Sequence, residues 1–236
     1  MISMYDVEVV MPVYNEAACI SAVVDDWIRV LDSVAISYQL LVLNDGSRDN
    51  TAAVLTQYNN NPKVKIINKE NSGHGPTILQ GYHVAVQAAQ WVFQVDSDNE
   101  ISAEQFKPLW HERKNFDAII GIRANRQQPL SRKLVSLFSR FTVSLFYGSG
   151  VTDINCPFRL MRSDILTEIL RKIPYNTFAP NVIISGFLAL MQVRVLNVKV
   201  SHTNRQTGEV SIKKWKLAKA ALKTFMQIIL VRFRRD

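Results

Sequence analysis

Apolar positions along the first hundred residues switch repeatedly between two spacings. Val7-Glu-Val-Val-Met11 reads as a buried strand. Ile20, Val23, Val24, Trp27, Ile28 and Leu31 then recur three and four apart, as on one face of a helix. Tyr38 to Leu43 and Lys63 to Asn68 predict two further strands. Asn44 to Thr51 forms a turn and helix start between them, with Asp49 or Asn50 as cap. The glycine-rich loop Asn71-Ser-Gly73-His-Gly75-Pro76 leads into another helix, Pro76 suiting its first turn. Trp91 to Val95 is a fourth strand. The order β-α-β-α-β-α-β implies an α/β, Rossmann-like, mostly parallel sheet with right-handed crossovers.

The second half is less regular. Asp117 to Ile122 predicts a strand, and a helix is expected to start near Ser163. Gln192 to Val200 alternates as a last strand. Leu134, Leu137, Phe138, Phe141, Leu145 and Phe146 form an apolar helical stripe ended by Gly148-Ser-Gly150. From Lys213 a helix carries Trp215, Ala218, Leu222, Phe225 and Ile229 on one side, with Lys216, Lys219, Lys223 and Gln227 on the other. The expected division is a catalytic domain over 1–212 and a basic amphipathic helix over 213–236.

Charge sharpens that division. The net charge is +8; the last 38 residues hold ten Lys/Arg against Glu209 and Asp236, while the preceding 198 balance at eighteen each. A basic tail with an apolar stripe points to an anionic membrane surface. A nucleic-acid partner is not expected, because its cations would more often be spread over a face with interleaved aromatics. Cys19 and Cys156 make neither a disulfide framework nor metal-type spacing, so a reducing compartment is expected. Ile173 to Val193 is interrupted by prolines and asparagines and reads as core rather than a membrane span. The chain enters a strand within a few residues, and no signal peptide is expected.

The densest chemistry follows the fourth strand, at Asp96-Ser-Asp98-Asn-Glu100. Ligands in open α/β sheets lie beyond the carboxyl ends of strands. Asp96 and Asp98 share a face of an extended segment, and such oxygens suit Mg²⁺ or Mn²⁺ carrying a substrate phosphate. The same stretch also reads as a helix start, with Ser102 as cap and Glu100 and Glu104 as acids near the dipole. No G-x-G-x-x-G follows the first strand and no G-x-x-x-x-G-K-[ST] occurs, which argues against dinucleotide oxidoreductases and P-loop NTPases.

Pro12-Val-Tyr-Asn-Glu16, Asn44-Asp45-Gly-Ser-Arg-Asp49 and Asp96-Ser-Asp98, at the ends of successive strands, resemble the family 2 glycosyltransferases of GT-A fold. Within that family the chain looks most like the polyprenyl-phosphate glycosyltransferases, such as dolichol-phosphate mannosyltransferase. That likeness rests on Gly73-His-Gly75, Gly121-Ile-Arg123, Phe158-Arg159 and Arg205-x-x-Gly208-x-x-Ser211. The resemblance implies inverting transfer of a hexose from a UDP- or GDP-sugar to a polyprenyl phosphate. Pro12, Tyr14, Glu16 and Asp45 would hold the nucleotide, with Gly73 and Gly75 near its phosphates. Asp96 and Asp98 would face the diphosphate and metal, with Glu100 as a further metal candidate. Arg123, Arg159, Arg205 and Ser211 would bind the acceptor phosphate. If the acceptor is instead a glycan or glycolipid hydroxyl, a carboxylate base is required; Asp153 is the candidate, with capping or pairing to Arg159 as its other readings. The helical stripes at 132–147 and 213–231 would lie on the inner face of the cytoplasmic membrane, with the protein peripheral there or held by a separate membrane subunit. Uridine versus guanosine, and the sugar, are not legible.

Overall fold

The computed structural model describes residues 4–124, 130–202 and 214–234. Strands β1 (Tyr5–Val13), β2 (Tyr38–Asp45), β3 (Val64–Lys69) and β4 (Ala89–Gln94) alternate with helices α1 (Ile20–Ser33), α2 (Thr51–Leu55) and α3 (His74–Ala88). Then come α4 (Phe106–Glu112), β5 (Ala118–Ala124), α5 (Leu130–Tyr147), β6 (Arg159–Arg162), α6 (Ser163–Lys172), α7 (Pro180–Leu190), β7 (Val195–Ser201) and α8 (Lys214–Arg232). All seven strands form one sheet in the order β3-β2-β1-β4-β6-β5-β7. Only β6 runs antiparallel to its neighbours. The expected α/β class and mostly parallel sheet are observed.

The central strands β1 and β2 are buried on both faces along most of their length, as parallel strands between helices must be, whereas β3 at the sheet edge exposes Lys65 and Asn68. On α1 the inward face is Ile20, Val23, Val24, Trp27, Val30 and Leu31. Trp27 packs on Phe93 of β4, on Phe106 of α4 and on Phe158, with ring centroids 5.4–6.2 Å apart. That aromatic cluster ties the regular first half to the irregular second.

The periodicity of the sequence did not reveal β6. Arg159 and Arg162 bound it, only four residues long, and Leu160 and Met161 between them are fully buried. Its place between β4 and β5 is set by tertiary pairing, Gln94 with Arg159 and Arg159 with Ile120. Helix α7 is buried around almost its whole circumference, in line with the reading of 173–193 as core.

Helices α5 and α8 pack on each other, through Phe138 against Phe225 and through Tyr147, whose hydroxyl donates to the Ile228 carbonyl. Their outer faces carry Leu137, Phe138, Phe141 and Leu145 on α5, and Leu222, Met226 and Leu230 on α8 with Phe233 just beyond; all are more than half exposed. The buried side of α8 is Thr224, Ile228 and Val231. Large apolar side chains in contiguous rows on a surface mark an interaction face.

Candidate active site

The loops that leave β1, β2 and β3 are stitched together by their own polar side chains. The Asn15 amide nitrogen donates to Ser47 Oγ (3.0 Å), and Asn15 Oδ1 accepts from the Arg48 amide (2.8 Å). The Glu16 amide donates to Thr51 Oγ1 (2.9 Å), and that of Ala17 to Asp49 Oδ2 (3.1 Å). Much of the two polar motifs therefore serves to hold each loop against the other. Asp49 also accepts from the Thr51 amide at the start of α2, whereas the Asn50 side chain makes no cap bond.

Asp45, at the end of β2, organises the glycine loop. Its carboxylate accepts from the amides of Ser72 and Gly73, both at 2.9 Å, and pairs with Lys69. Burial alone would raise its pKa; the Lys69 bond, the Ser72 amide and Thr77 outweigh that and hold it below the usual carboxylate value. Gly73 stands at φ +90°, a conformation costly for other residues, and opens α3. Gly75 serves packing: a Cβ there would lie 2.3 Å from the Phe178 carbonyl oxygen and 2.4 Å from that of Thr177.

These loops and the acidic stretch close around a cavity of about 440 Å³. Pro12, Tyr14, Glu16 and Asp45 line one side, Asp96 and Asp98 another, and Gly73 the mouth of α3. Gly75 is not among the lining residues. Asn71, His74 and Thr77, which sequence reasoning left out, also line it. His74 Nε2 lies 3.7 Å from Asp96 Oδ1. Its place inside the glycine loop was the signal for it.

Asp96 Oδ1 is buried and has no hydrogen-bond partner. An orphaned carboxylate oxygen beside a second carboxylate, both on one cavity, fits a hard divalent cation that takes its remaining ligands from phosphate and water. Among the described residues no group of three His, Cys, Asp or Glu is placed to hold a metal alone. Glu100 departs from its expected place: its carboxylate lies 2.7 Å from His202 Nε2, and it does not line the cavity. The helix-start reading of this stretch holds alongside, since Ser102 Oγ accepts from the Glu104 amide.

Arg123 emerges at the same edge of the sheet. In register Gln94 lies level with Arg159 and Arg159 with Ile120, so Asp96 and Arg123 leave their strands at similar heights, two strands apart. That separation is roughly 10 Å. The Arg123 Nε and Nη2 make a fork onto Asp153, at 2.8 and 2.9 Å. Burial opposes the Arg123 charge, but Asp153 more than offsets it and pushes the guanidinium pKa up. Asp153 is thus hydrogen-bonded by Arg123, while Arg159 feels it only as a nearby charge.

Arg159 does not fit its expected contact with acceptor phosphate. It is fully buried and donates to the carbonyls of Cys156 (2.9 Å), Asn181 (3.1 Å) and Ile154 (3.2 Å). It pins the 154–156 turn against the start of α7. Burial pushes the neighbouring Cys156 thiol up to about 11, so it is no thiolate at neutral pH. Arg205 and Ser211 lie outside the described residues. The end of β7 just before them is anchored to the acidic stretch. Gln105 Nε2 donates to the Ser201 carbonyl (2.9 Å), Gln105 Oε1 accepts from the Ser201 amide (2.5 Å), and Glu100 holds His202.

A sequence model of the family described as "Glycosyl transferase family 2" matches residues 8–170. Among curated proteins the chain is similar to an undecaprenyl-phosphate 4-deoxy-4-formamido-L-arabinose transferase of Yersinia pestis (strain Pestoides F). The two are 27% identical over 206 residues, 86% of this chain and 61% of the relative. The protein of the same name from Pectobacterium atrosepticum is 27% identical over 207 residues, with the same coverage. The chain therefore spans about three fifths of the length of these relatives. Among solved structures it is similar to glucosyl-3-phosphoglycerate synthase from Mycobacterium tuberculosis in complex with phosphoglyceric acid. Their TM-score is 0.72 at 15% identity, covering 98% of this chain and 81% of that one. The same synthase with Mn²⁺, uridine diphosphate and phosphoglyceric acid gives 0.70 at 15% identity, covering 98% and 80%. The fold is GT-A.

Proposed function

The chain belongs to glycosyl transferase family 2, and from that premise we propose that it moves a sugar, with inversion, from a nucleoside-diphosphate sugar to a polyprenyl phosphate at a membrane surface. The observation that carries this reading is the single cavity on which Tyr14, Glu16, Asp45, Asp96 and Asp98 converge, with Arg123 at the same sheet edge. The relatives named for undecaprenyl phosphate support the acceptor class, and the uridine diphosphate bound by the structural neighbour makes UDP-sugars the first donors to try.

In this reading Asp96 and Asp98 would hold Mg²⁺ or Mn²⁺ for the donor diphosphate. When bound there, the cation neutralises charge on the departing nucleotide. Asp45 keeps the glycine loop in position beside the phosphates through its two amide bonds. Asp153 fixes Arg123, leaving Nη1 outside the fork for an acceptor phosphate oxygen. A phosphate oxygen is already ionised at neutral pH, so no general base is required. Asp153 as base for a hydroxyl acceptor is disfavoured, because a carboxylate held by a guanidinium on both oxygens is a poor proton acceptor. The exposed apolar rows of α5 and α8 face the bilayer that contains the acceptor. No described helix is long and apolar enough to cross a membrane.

The test is a screen of labelled UDP- and GDP-sugars with undecaprenyl or dolichyl phosphate, with and without Mn²⁺. Label should enter the lipid phase, require the cation, and fall at least about 100-fold in Asp98→Asn. Label in a glycan or glycolipid hydroxyl but never in the lipid phosphate would refute the acceptor assignment. Undiminished transfer by Asp98→Asn would refute the site.

A further inference from the structure

Two groups on the wall of the donor cavity face each other without touching. His74 Nε2, from the first residue of α3, lies 3.7 Å from Asp96 Oδ1, just past the end of β4. That distance exceeds a hydrogen bond, and Asp96 Oδ1 is buried with no partner. With Nε2 carrying the ring proton, the pair offers one donor and one acceptor to whatever enters between them. The occupant must then accept on one side and donate on the other. A phosphate oxygen only accepts and is repelled by the carboxylate, and an apolar group would leave both polar atoms unpaired. An alcohol hydroxyl does both. At ordinary lengths of about 2.7 Å to the carboxylate and about 2.9 Å to the ring, it spans the gap without displacing either group. An ionised carboxylate has about four lone-pair sites, so Asp96 can share a cation with Asp98 and still accept this bond.

The sheet order indicates which hydroxyl this is. At the carboxyl edge the strands run β2, β1, β4. Asp45 ends β2, Pro12 and Tyr14 stand at the end of β1, and Asp96 and then Asp98 follow β4, all on one cavity. The residues that would hold the base therefore lie to one side of the His74–Asp96 pair, and Asp98 with its cation to the other. Ribose is the part of a nucleotide that joins base to diphosphate. We propose that His74 and Asp96 together hold a ribose hydroxyl of the donor nucleotide, which makes His74 a specificity-determining contact that separates ribonucleotides from deoxyribonucleotides. The proposal rests on the nucleotide reading of the cavity and adds to it a residue and a function.

The experiment is calorimetric binding, with Mn²⁺, of UDP, GDP and their 2′-deoxy and 3′-deoxy forms to the full chain. The wild type, H74A and H74Q are compared. For the nucleotide that binds, removal of the bridging hydroxyl should weaken the wild type about tenfold, because His74 and Asp96 lose their shared partner. In H74A the ribo form should weaken while the deoxy form hardly changes, so discrimination should fall to about threefold or less. Glutamine keeps an N–H at similar reach, so H74Q should retain most of the discrimination. A general disturbance of the cavity would weaken ribo and deoxy forms alike. Discrimination in H74A equal to that of the wild type would therefore overturn the role of His74. A wild type indifferent to both ribose hydroxyls, yet impaired in transfer from a donor with a deoxygenated sugar, would overturn the ribose assignment in favour of a sugar hydroxyl. Binding without any discrimination would overturn the proposal alone, whereas failure of both UDP and GDP to bind would overturn it together with the nucleotide reading.

Discussion

Glu8 sits in the middle of β1, the strand that leads to the donor cavity, between Gln39 of β2 and Val92 of β4. It is fully buried, and neither carboxylate oxygen has a hydrogen-bond partner. Burial lifts its pKa from 4.5 to about 7, with Lys65 on β3 pulling weakly the other way. Between those two values the unfolded chain has lost the proton and the native chain keeps it, so native stability falls as pH rises from about 4.5 and levels off above about 7. At about 1.4 kcal/mol per pH unit the loss is about 3 kcal/mol. For a chain of this size that corresponds to roughly 6–12 °C in Tm. Glu8→Gln keeps the shape and does not titrate. Melting curves of both proteins from pH 4.5 to 8 should show the variant's advantage growing by that amount, while every other ionisation cancels in the difference. A difference that stays flat to within about 2 °C would show that Glu8 is either hydrated or paired, and the desolvation reasoning would fail.

Three other substitutions separate packing from chemistry. Gly75→Ala drives a Cβ into the Thr177 and Phe178 carbonyls and should cost about 1–3 kcal/mol in thermal melts, more than Gly73→Ala, which meets no atom and carries only backbone strain. Arg159→Met strands three buried carbonyls; it should lose about 3 kcal/mol or more by denaturant titration while the folded fraction binds UDP normally. A selective rise in acceptor KM without destabilisation would instead restore Arg159 as a phosphate ligand. Gln105→Ala removes two hydrogen bonds from the end of β7, the strand that precedes Arg205 in the chain. Steady-state kinetics should show acceptor KM several-fold higher with UDP affinity unchanged, and equal effects on both would argue for general loosening.

Most of the scaffold was legible because its signals are local. The three-and-four spacing from Ile20 to Leu31 and the apolar runs at Val7, Tyr38 and Trp91 each report one element's own buried face. Repeated βα order then fixes a parallel sheet, and a parallel sheet puts every polar loop after a strand at one edge. For that reason Tyr14, Asp45, Asp96 and Asp98 could be grouped without coordinates; the stripe of α5 was legible too, whereas the exposed apolar row of α8 is Leu222, Met226 and Leu230, and Phe225 and Ile229 of the expected stripe are half-buried.

What the chain could not disclose is who meets whom across the sheet. β6 has too few residues to show a period, and its insertion between β4 and β5 follows from pairing with strands 60 or more and 35 or more residues away in sequence. That insertion buries Arg159, converting an apparent phosphate ligand into a clasp for backbone carbonyls. Likewise Glu100 finds His202 across 102 residues, and Arg123 finds Asp153 across 30. A charged side chain in a sequence carries its chemistry but not its partner; burial and topology assign the partner, because an ionised group removed from water must be matched by whatever the fold brings within reach.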